Sequence, residues 1–302
     1  MATTFTPEYY GAVGDGSADD TAALQSAINA AAASNGVLEL APKVAYRISS
    51  TLTVQPQGAQ ALTFTQIRAS GGQSAIYHTG SGPALKLIGL KYARIEGVHI
   101  ELEQAGAIGI AIDGTPEHVS CGMLTFADCL INLGTGGGCI GFSVASDTLL
   151  NGLDSACINY ENCYVQARGR QYDDIGWYLS GANVLRHQWF GGGTSGCAIG
   201  WQTRSNNAAN GAGDCFWFGA GASSNGIDFK LSQGKQAVIS GGRFEDGIQF
   251  MTVGAAKGTA PTGVYVQGVS INQYAGPILI DVQTAAHLTL DTCYIAPGYS
   301  AP

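Results

Sequence analysis

Gly109-Ile110-Ala111-Ile112-Asp113, Gly141-Phe142-Ser143-Val144, Gly176-Trp177-Tyr178-Leu179, Gly200-Trp201-Gln202-Thr203 and Gly226-Ile227-Asp228-Phe229-Lys230 share one layout. Each opens on glycine and then alternates apolar side chains with others. Period-two alternation marks a β-strand with one buried and one wet face. Pro83-Ala84-Leu85-Lys86-Leu87 precedes the series, and Gly247-Ile248-Gln249-Phe250 and Pro277-Ile278-Leu279-Ile280-Asp281 follow it. From about residue 60 onward such strands recur at intervals of about 22–36 residues, as in a solenoid whose turns carry loops of varied length.

A second strand type follows within the turns. Leu124-Thr125-Phe126-Ala127-Asp128-Cys129, Ile158-Asn159-Tyr160-Glu161-Asn162-Cys163 and Leu288-Thr289-Leu290-Asp291-Thr292-Cys293 align with Val264-Tyr265-Val266-Gln267-Gly268-Val269. Cys129, Cys163 and Cys293 thus fill the slot of Val269, and a cysteine that exchanges with valine serves as a small apolar core residue. Asp128, Asn162 and Gly268, just before that slot, suit a left-handed bend; Thr292 suits it less well. The chain has 8 cysteines, but neither a C-x-x-C pair nor a zinc-type Cys/His spacing. The expectation is buried free thiols, no metal and no cofactor; Cys121, Cys139, Cys157, Cys197 and Cys215 have no clear slot.

Composition agrees with a solenoid. Glycine reaches 44 of 302 residues without a Gly-X-Y period, hydrophobic residues are 45% and charged residues only 12%. Such a chain has the apolar content to fold and few charges to bury. The net charge of −8, without a Lys/Arg cluster, excludes nucleic acid as the expected partner. No apolar run reaches the roughly 18–20 residues of a membrane span, so no membrane insertion is expected.

At the N-terminus, Gly11, Gly14 and Gly16 surround Val13 and Asp15, which predicts a strand ending in a tight turn. Asp19, Asp20 and Thr21 offer side-chain oxygens to a helix start, and Leu24, Ala27, Ile28 and Ala31 give an apolar stripe over 21–33. Asn35-Gly36 ends the helix, and Val37-Leu38-Glu39-Leu40 and Tyr46-Arg47-Ile48 read as strands. The three aspartates read as turn and cap chemistry rather than as a catalytic or metal site.

The run Gly11-Ala12-Val13-Gly14-Asp15-Gly16, then Asp19-Asp20-Thr21, a helix, and Val37-Leu38-Glu39-Leu40-Ala41-Pro42 resembles the N-terminal signature of pectate-lyase-superfamily proteins. Polygalacturonase-like enzymes and phage tailspike depolymerases carry this signature. The resemblance implies an all-β fold: a single-stranded right-handed parallel β-helix of about 8–10 turns with an N-terminal capping α-helix. Residues 1–60 form the cap and first strands, and 61–302 the β-helix. It also implies a polysaccharide partner and, for the tailspike type, a homotrimer. Met1 to Tyr10 lacks the pattern of a signal peptide, so the expected location is a virion or the cytoplasm, with extracellular release for a tail component.

Proteins of this kind act on polysaccharide in a groove along the outer side. The outward positions of the first strand type, read from the alternation, include Ser143, Tyr178, Gln202, Arg204, Asp228, Lys230, Gln249 and Asp281. Tyr178, Gln202, Arg204, Lys230 and Gln249 are the expected substrate-binding residues, since aromatic faces pack on sugar C–H groups and polar groups bind hydroxyls. The polar segment Thr203 to Gly213 is the expected groove wall. Trp177 and Trp201 fall inward, whereas Trp189 and Trp217 are not placed by the pattern.

Glycosidases use two carboxylates, about 5 Å apart for retention or about 6.5–9.5 Å for inversion. Glu161, Asp173, Asp174, Asp214, Asp228, Glu245 and Asp246 are available, and Asp173, Asp174 and Asp228, with Glu245 behind them, are the expected catalytic residues. Adjacent Asp173-Asp174 is similar to the paired aspartates of polygalacturonases, although the Asn-Thr-Asp, His-Gly and Arg-Ile-Lys elements of those enzymes are absent. Two readings stay open: a polysaccharide depolymerase (hydrolase or lyase), and a non-catalytic receptor-binding or structural virion protein.

Overall fold

The structure, a computed structural model, describes residues 2–56, 66–69, 74–113, 120–145, 154–170, 172–180, 183–204, 213–232, 234–254, 261–284 and 287–296. The boundary at residues 60 and 61 lies outside them.

Three parallel sheets of 12, 11 and 9 strands wrap the described chain. Successive strands go to successive sheets. Asp154–Glu161 lies in the first, Tyr164–Gln166 in the second and Ile175–Ser180 in the third; the next coil repeats this with Asn183–Phe190, Gly193–Ser195 and Ile199–Arg204. Each strand pairs in parallel with its counterpart one coil away. This is a right-handed parallel β-helix, and the nine strands of the third sheet put its turns within the expected number.

The helix Thr21–Ala33 buries Leu24, Ala27, Ile28, Ala31 and Ala32. It closes the edge of the third sheet directly: the Gln25 amide donates to the Thr53 carbonyl at 2.8 Å and accepts from the Thr53 N–H at 2.8 Å. An edge strand that would invite another chain is thereby satisfied. The N-terminal turn corrects the sequence reading in two respects. The strand is Asp15–Asp19, after the glycine turn rather than before it. Asp20 makes no cap bond to the helix; its carboxylate instead accepts from the N–H groups of Val13 at 2.7 Å and Gly14 at 3.1 Å. Asp19 is the residue that satisfies the helix start, accepting from the Thr21 N–H at 3.0 Å.

The inward columns hold aromatic stacks. Phe142, Trp177, Trp201 and Phe229 stack at centroid spacings of 5.3, 5.3 and 4.8 Å. Phe126, Tyr160, Trp189 and Trp217 form a second stack at 5.4, 4.9 and 4.8 Å. The two meet edge-on, with Trp177 and Trp189 at 89°. These spacings match the separation of neighbouring strands, so each ring is sealed by the coil on either side. All four tryptophans are buried.

The register carries Val98, Cys129, Cys163, Gly192, Ala220, Gly242, Val269 and Cys293 through one column. Cys129 and Cys163 are buried, Cys293 in the last coil is half-buried, and all eight cysteines are free thiols. The preceding column bends as expected, with φ near +50° at Asp128, Asn162 and Thr292. Thr292 adopts the bend despite its branched side chain.

Glycine at the start of the third-sheet strands answers to close approach. A Cβ on Gly176 would lie 2.5 Å from the Gly200 carbonyl oxygen and 2.6 Å from Thr194 Cγ2, and one on Gly141 would lie 2.6 Å from the Gly176 oxygen. The coil corner leaves no room for a side chain. Gly176→Ala is therefore expected to destabilise the fold by about 1–3 kcal/mol, the usual cost of overpacking; thermal unfolding checks this, and an unchanged midpoint would contradict the packing described.

Candidate functional site

The second sheet presents its outward side chains in two columns. One runs His99, Leu130, Tyr164, Gly193, Gly221, Arg243 and Ser270, the other Glu101, Asn132, Gln166, Ser195, Ser223, Glu245 and Asn272. At Gly193 and Gly221 the first column has no side chain, so a hollow of about 490 Å³ opens between Tyr164 and Arg243. Its floor is Gly193, Thr194, Ser195 and Ala222, and Glu245 stands at its far end. A second hollow of about 600 Å³ lies over the adjoining corner and shares Ser195 with the first. Arg168, Gly169 and Arg170 wall it on one side, and Ser224, Asp246 and Gln273 on the other. Arg170 Nη1 reaches the Asp246 carbonyl oxygen at 2.9 Å, bracing the wall across the coils between them.

The glycines are fixed by the backbone beneath them: a Cβ on Gly193 would stand 2.1 Å from the Gly221 carbonyl oxygen. Glu245 is ion-paired with Arg243 at 2.5 Å; its side chain is 28% exposed, so it is screened only in part from solvent. Asp246 is exposed. Together the two adjoining hollows combine an aromatic face, hydroxyls, two carboxylates and three guanidinium groups: Tyr164, Arg243 and Glu245 line the first, and Arg168, Arg170 and Asp246 the second.

Of the four expected catalytic residues, Asp173, Asp174, Asp228 and Glu245, only Glu245 lines either hollow. Asp173 is exposed on the same corner but outside the lining of either hollow. Asp174 is fully buried; one oxygen accepts from the Cys139 N–H at 2.8 Å and the other has no partner among the described residues. Burial, and behind it the charge of Asp173, pushes its carboxyl above the usual range, while the Cys139 bond opposes that. Asp228 is not outward as the alternation predicts: it is fully buried and bonded to Asn225 Nδ2 at 2.9 Å and to the Tyr274 hydroxyl. It takes the column of Gly200, one residue before the true inward Phe229.

Tyr178, Gln202 and Lys230 stack in register, as expected, but on the third sheet and not in the groove. Gln202 is 8% and Ser143 5% exposed, so this face is largely closed. Arg204 is exposed on the same sheet. Gln249 occupies a different column, following Ile227, and its amide donates to the Met251 carbonyl at 3.1 Å. Residues 205–212 of the expected groove wall lie outside the described residues.

The groove residues missed from the sequence do carry a signal. Gly191-Gly192-Gly193-Thr194-Ser195-Gly196, Gly219-Ala220-Gly221-Ala222-Ser223-Ser224 and Gly241-Gly242-Arg243-Phe244-Glu245-Asp246 are equivalent corner-and-strand segments. Glycine at the outward position of the first two, but not the third, is what makes a depression. No set of three or more metal-ligating side chains occurs among the described residues, and no described helix is long and apolar enough to cross a membrane.

Solved structures share this architecture. A chain of Geobacillus virus E2, ORF18, superposes with a TM-score of 0.56 at 14% identity over 96% of this chain and 61% of that one. The enzymatically active domain of bacteriophage CBA120 tailspike protein 2 gives 0.55 at 12% identity, over 96% of this chain and 47% of that one. The endo-xylogalacturonan hydrolase of Aspergillus tubingensis gives 0.52 at 10% identity, over 97% and 92%. The chain therefore spans about half to three-fifths of the length of these two phage proteins. No protein-family model and no curated protein sequence matches it.

Asp174→Asn should keep the Cys139 bond and remove a buried charge. Because the folded-state pKa is raised, the wild-type contribution is fully present below about 3.8 and lost as pH rises through the folded value. The variant should match wild type in acid and exceed it in stability at neutral pH; equal midpoints by thermal unfolding at both pH values would refute this placement. The architecture, and the coil arrangement it shares with these structures, give this chain the fold of a right-handed parallel β-helix.

Proposed function

We propose that the groove over the second sheet binds polysaccharide and that the protein is a glycan depolymerase of the phage tailspike type. The observation that carries this is the hollow between Tyr164 and Arg243, where two glycines open a floor lined with hydroxyls and Glu245 stands at one end. A sugar ring needs a shallow apolar and hydroxyl-bearing bed with an aromatic side chain to pack on. Hydrolysis needs a carboxylate at the scissile bond with a second nearby. Glu245, at the end of the first hollow, fills the first role, and its chain neighbour Asp246, in the lining of the adjoining hollow, the second. A lyase would use the same groove with a base and a neutralising cation, which Arg243 supplies.

The similarity to phage tailspikes and to a xylogalacturonan hydrolase supports a carbohydrate-active reading. A virion location and a homotrimer belong to the same proposal. The trimer has support in the exposed Phe190 and Phe218, which stack at 5.4 Å on the outside of the first sheet. One observation favours the alternative, a receptor-binding protein without catalysis. Glu245 is engaged by Arg243 at 2.5 Å, and a carboxylate held in an ion pair is less free to take up and pass on a proton.

The test is incubation with bacterial capsular and O-antigen polysaccharides, polygalacturonate and alginate, reading both retention and reducing-end release. Release by wild type is expected to fall about 10²–10⁴-fold in Glu245→Gln, with retention preserved. Retention without release by wild type would establish the binding protein, and neither retention nor release would reject the groove as a glycan site.

A further inference from the structure

The corner beneath the second hollow is a ladder of left-handed residues. Gly196, Ser224, Asp246 and Gln273 have φ of +69°, +58°, +58° and +57°. Three of the four carry side chains, and side-chain-bearing residues keep this conformation only where their surroundings over-determine it. The constraint lies directly inside. Next along the chain from three rungs are Cys197, Asn225 and Gly247, and from the fourth Tyr274. Asn225 is fully buried; it accepts from the Cys197 N–H at 2.8 Å and donates to Thr194 Oγ1 at 2.7 Å and Asp228 Oδ1 at 2.9 Å. The Tyr274 hydroxyl donates to Asp228 Oδ2. Gly247 has no side chain because a Cβ there would lie 2.6 Å from the Tyr274 ring.

Asp228 is therefore the acceptor that joins the Asn225 and Tyr274 rungs. Through Asn225 it also reaches Thr194, a floor residue of the first hollow. We propose that Asp228 is a positioning residue that holds the corner ladder Gly196, Ser224, Asp246 and Gln273, and with it the groove, in shape from inside the solenoid. The role rests on the reading of the groove as the functional surface, but the network does not depend on which ligand the groove takes.

The arrangement has two proton states. Burial pushes the Asp228 carboxyl up to about 7, against the opposing bonds from Tyr274 and Asn225. As a carboxylate it accepts from both donors. When protonated it must carry its hydrogen on Oδ2, because the Asn225 nitrogen can only donate to Oδ1. Tyr274 then becomes the acceptor and turns its own hydroxyl hydrogen away. The titratable groups around the pair are the Cys197 thiol, with Asp174 acting on Cys197, and Glu245 and Asp246 acting on Tyr274. None of these supplies a cation to hold Asp228 ionised. The change falls on Tyr274, whose chain neighbours Gln273 and Ala275 line the second hollow.

The test follows the backbone amide signals of Gly196, Ser224, Asp246 and Gln273 by NMR from about pH 5 to about pH 9, without any glycan. All four should shift together with one midpoint near 7. Asp228→Asn should abolish the step while the protein stays folded. Tyr274→Phe should move the midpoint upward, since it removes a donor that favours the carboxylate. A packing role alone would lower the unfolding temperature of variants and leave no such pH profile. Flat signals in folded wild type, or a step that survives in Asp228→Asn, would overturn the proposal. Should Asp228→Asn fail to fold, an unmoved midpoint in Tyr274→Phe would overturn it equally. Since no glycan is present, the outcome is independent of whether the groove binds polysaccharide.

Discussion

Everything in this molecule depends on one coil sealing the next. The parallel hydrogen-bond ladders hold successive coils at strand spacing, and that spacing lets aromatic rings stack face to face along the axis. The core is a set of columns, each of which must be acceptable to its neighbours one coil above and below. A ring can follow a ring, a thiol can follow a valine, and glycine recurs where the corner is tight. The same rule explains the need for Gln25 at the N-terminal end, where no coil remains to pair with Thr53.

Columns also create the groove. An outward column that loses its side chains at two successive coils becomes a hollow whose ends are the side chains that remain. Gly193 and Gly221 do this between Tyr164 and Arg243. The depression is thus written in a deletion of bulk, with its chemistry supplied by the flanking residues and by the braced loop bearing Arg168 and Arg170. Rigidity comes from below, through the buried amide and carboxylate of Asn225 and Asp228.

The β-helix was legible because alternation and spacing are direct consequences of strand geometry, and the Cys129, Cys163 and Val269 slot follows from register alone. The helix over 21–33 was legible from its apolar stripe. The site was not legible in the same way. Alternation assigns Asp228 to the outside when Gly226 is matched to the opening glycine Gly200; the ladder instead matches Gly200 to Asp228 itself, and that corner column faces in. Asp173-Asp174 look like a carboxylate pair in sequence, yet the corner sends one to solvent and the other onto the Cys139 N–H. Sequence patterns emphasise the side chains present, whereas this groove is formed chiefly by those missing.

The central claim is that glycan sits on the second sheet and not on the third. Amide hydrogen exchange of the protein bound to a polysaccharide it retains tests this most directly. The account predicts added protection at Gly191 to Gly196, Gly219 to Ser224 and Arg243 to Asp246. Protection confined to the strands bearing Tyr178, Gln202 and Lys230 would contradict it.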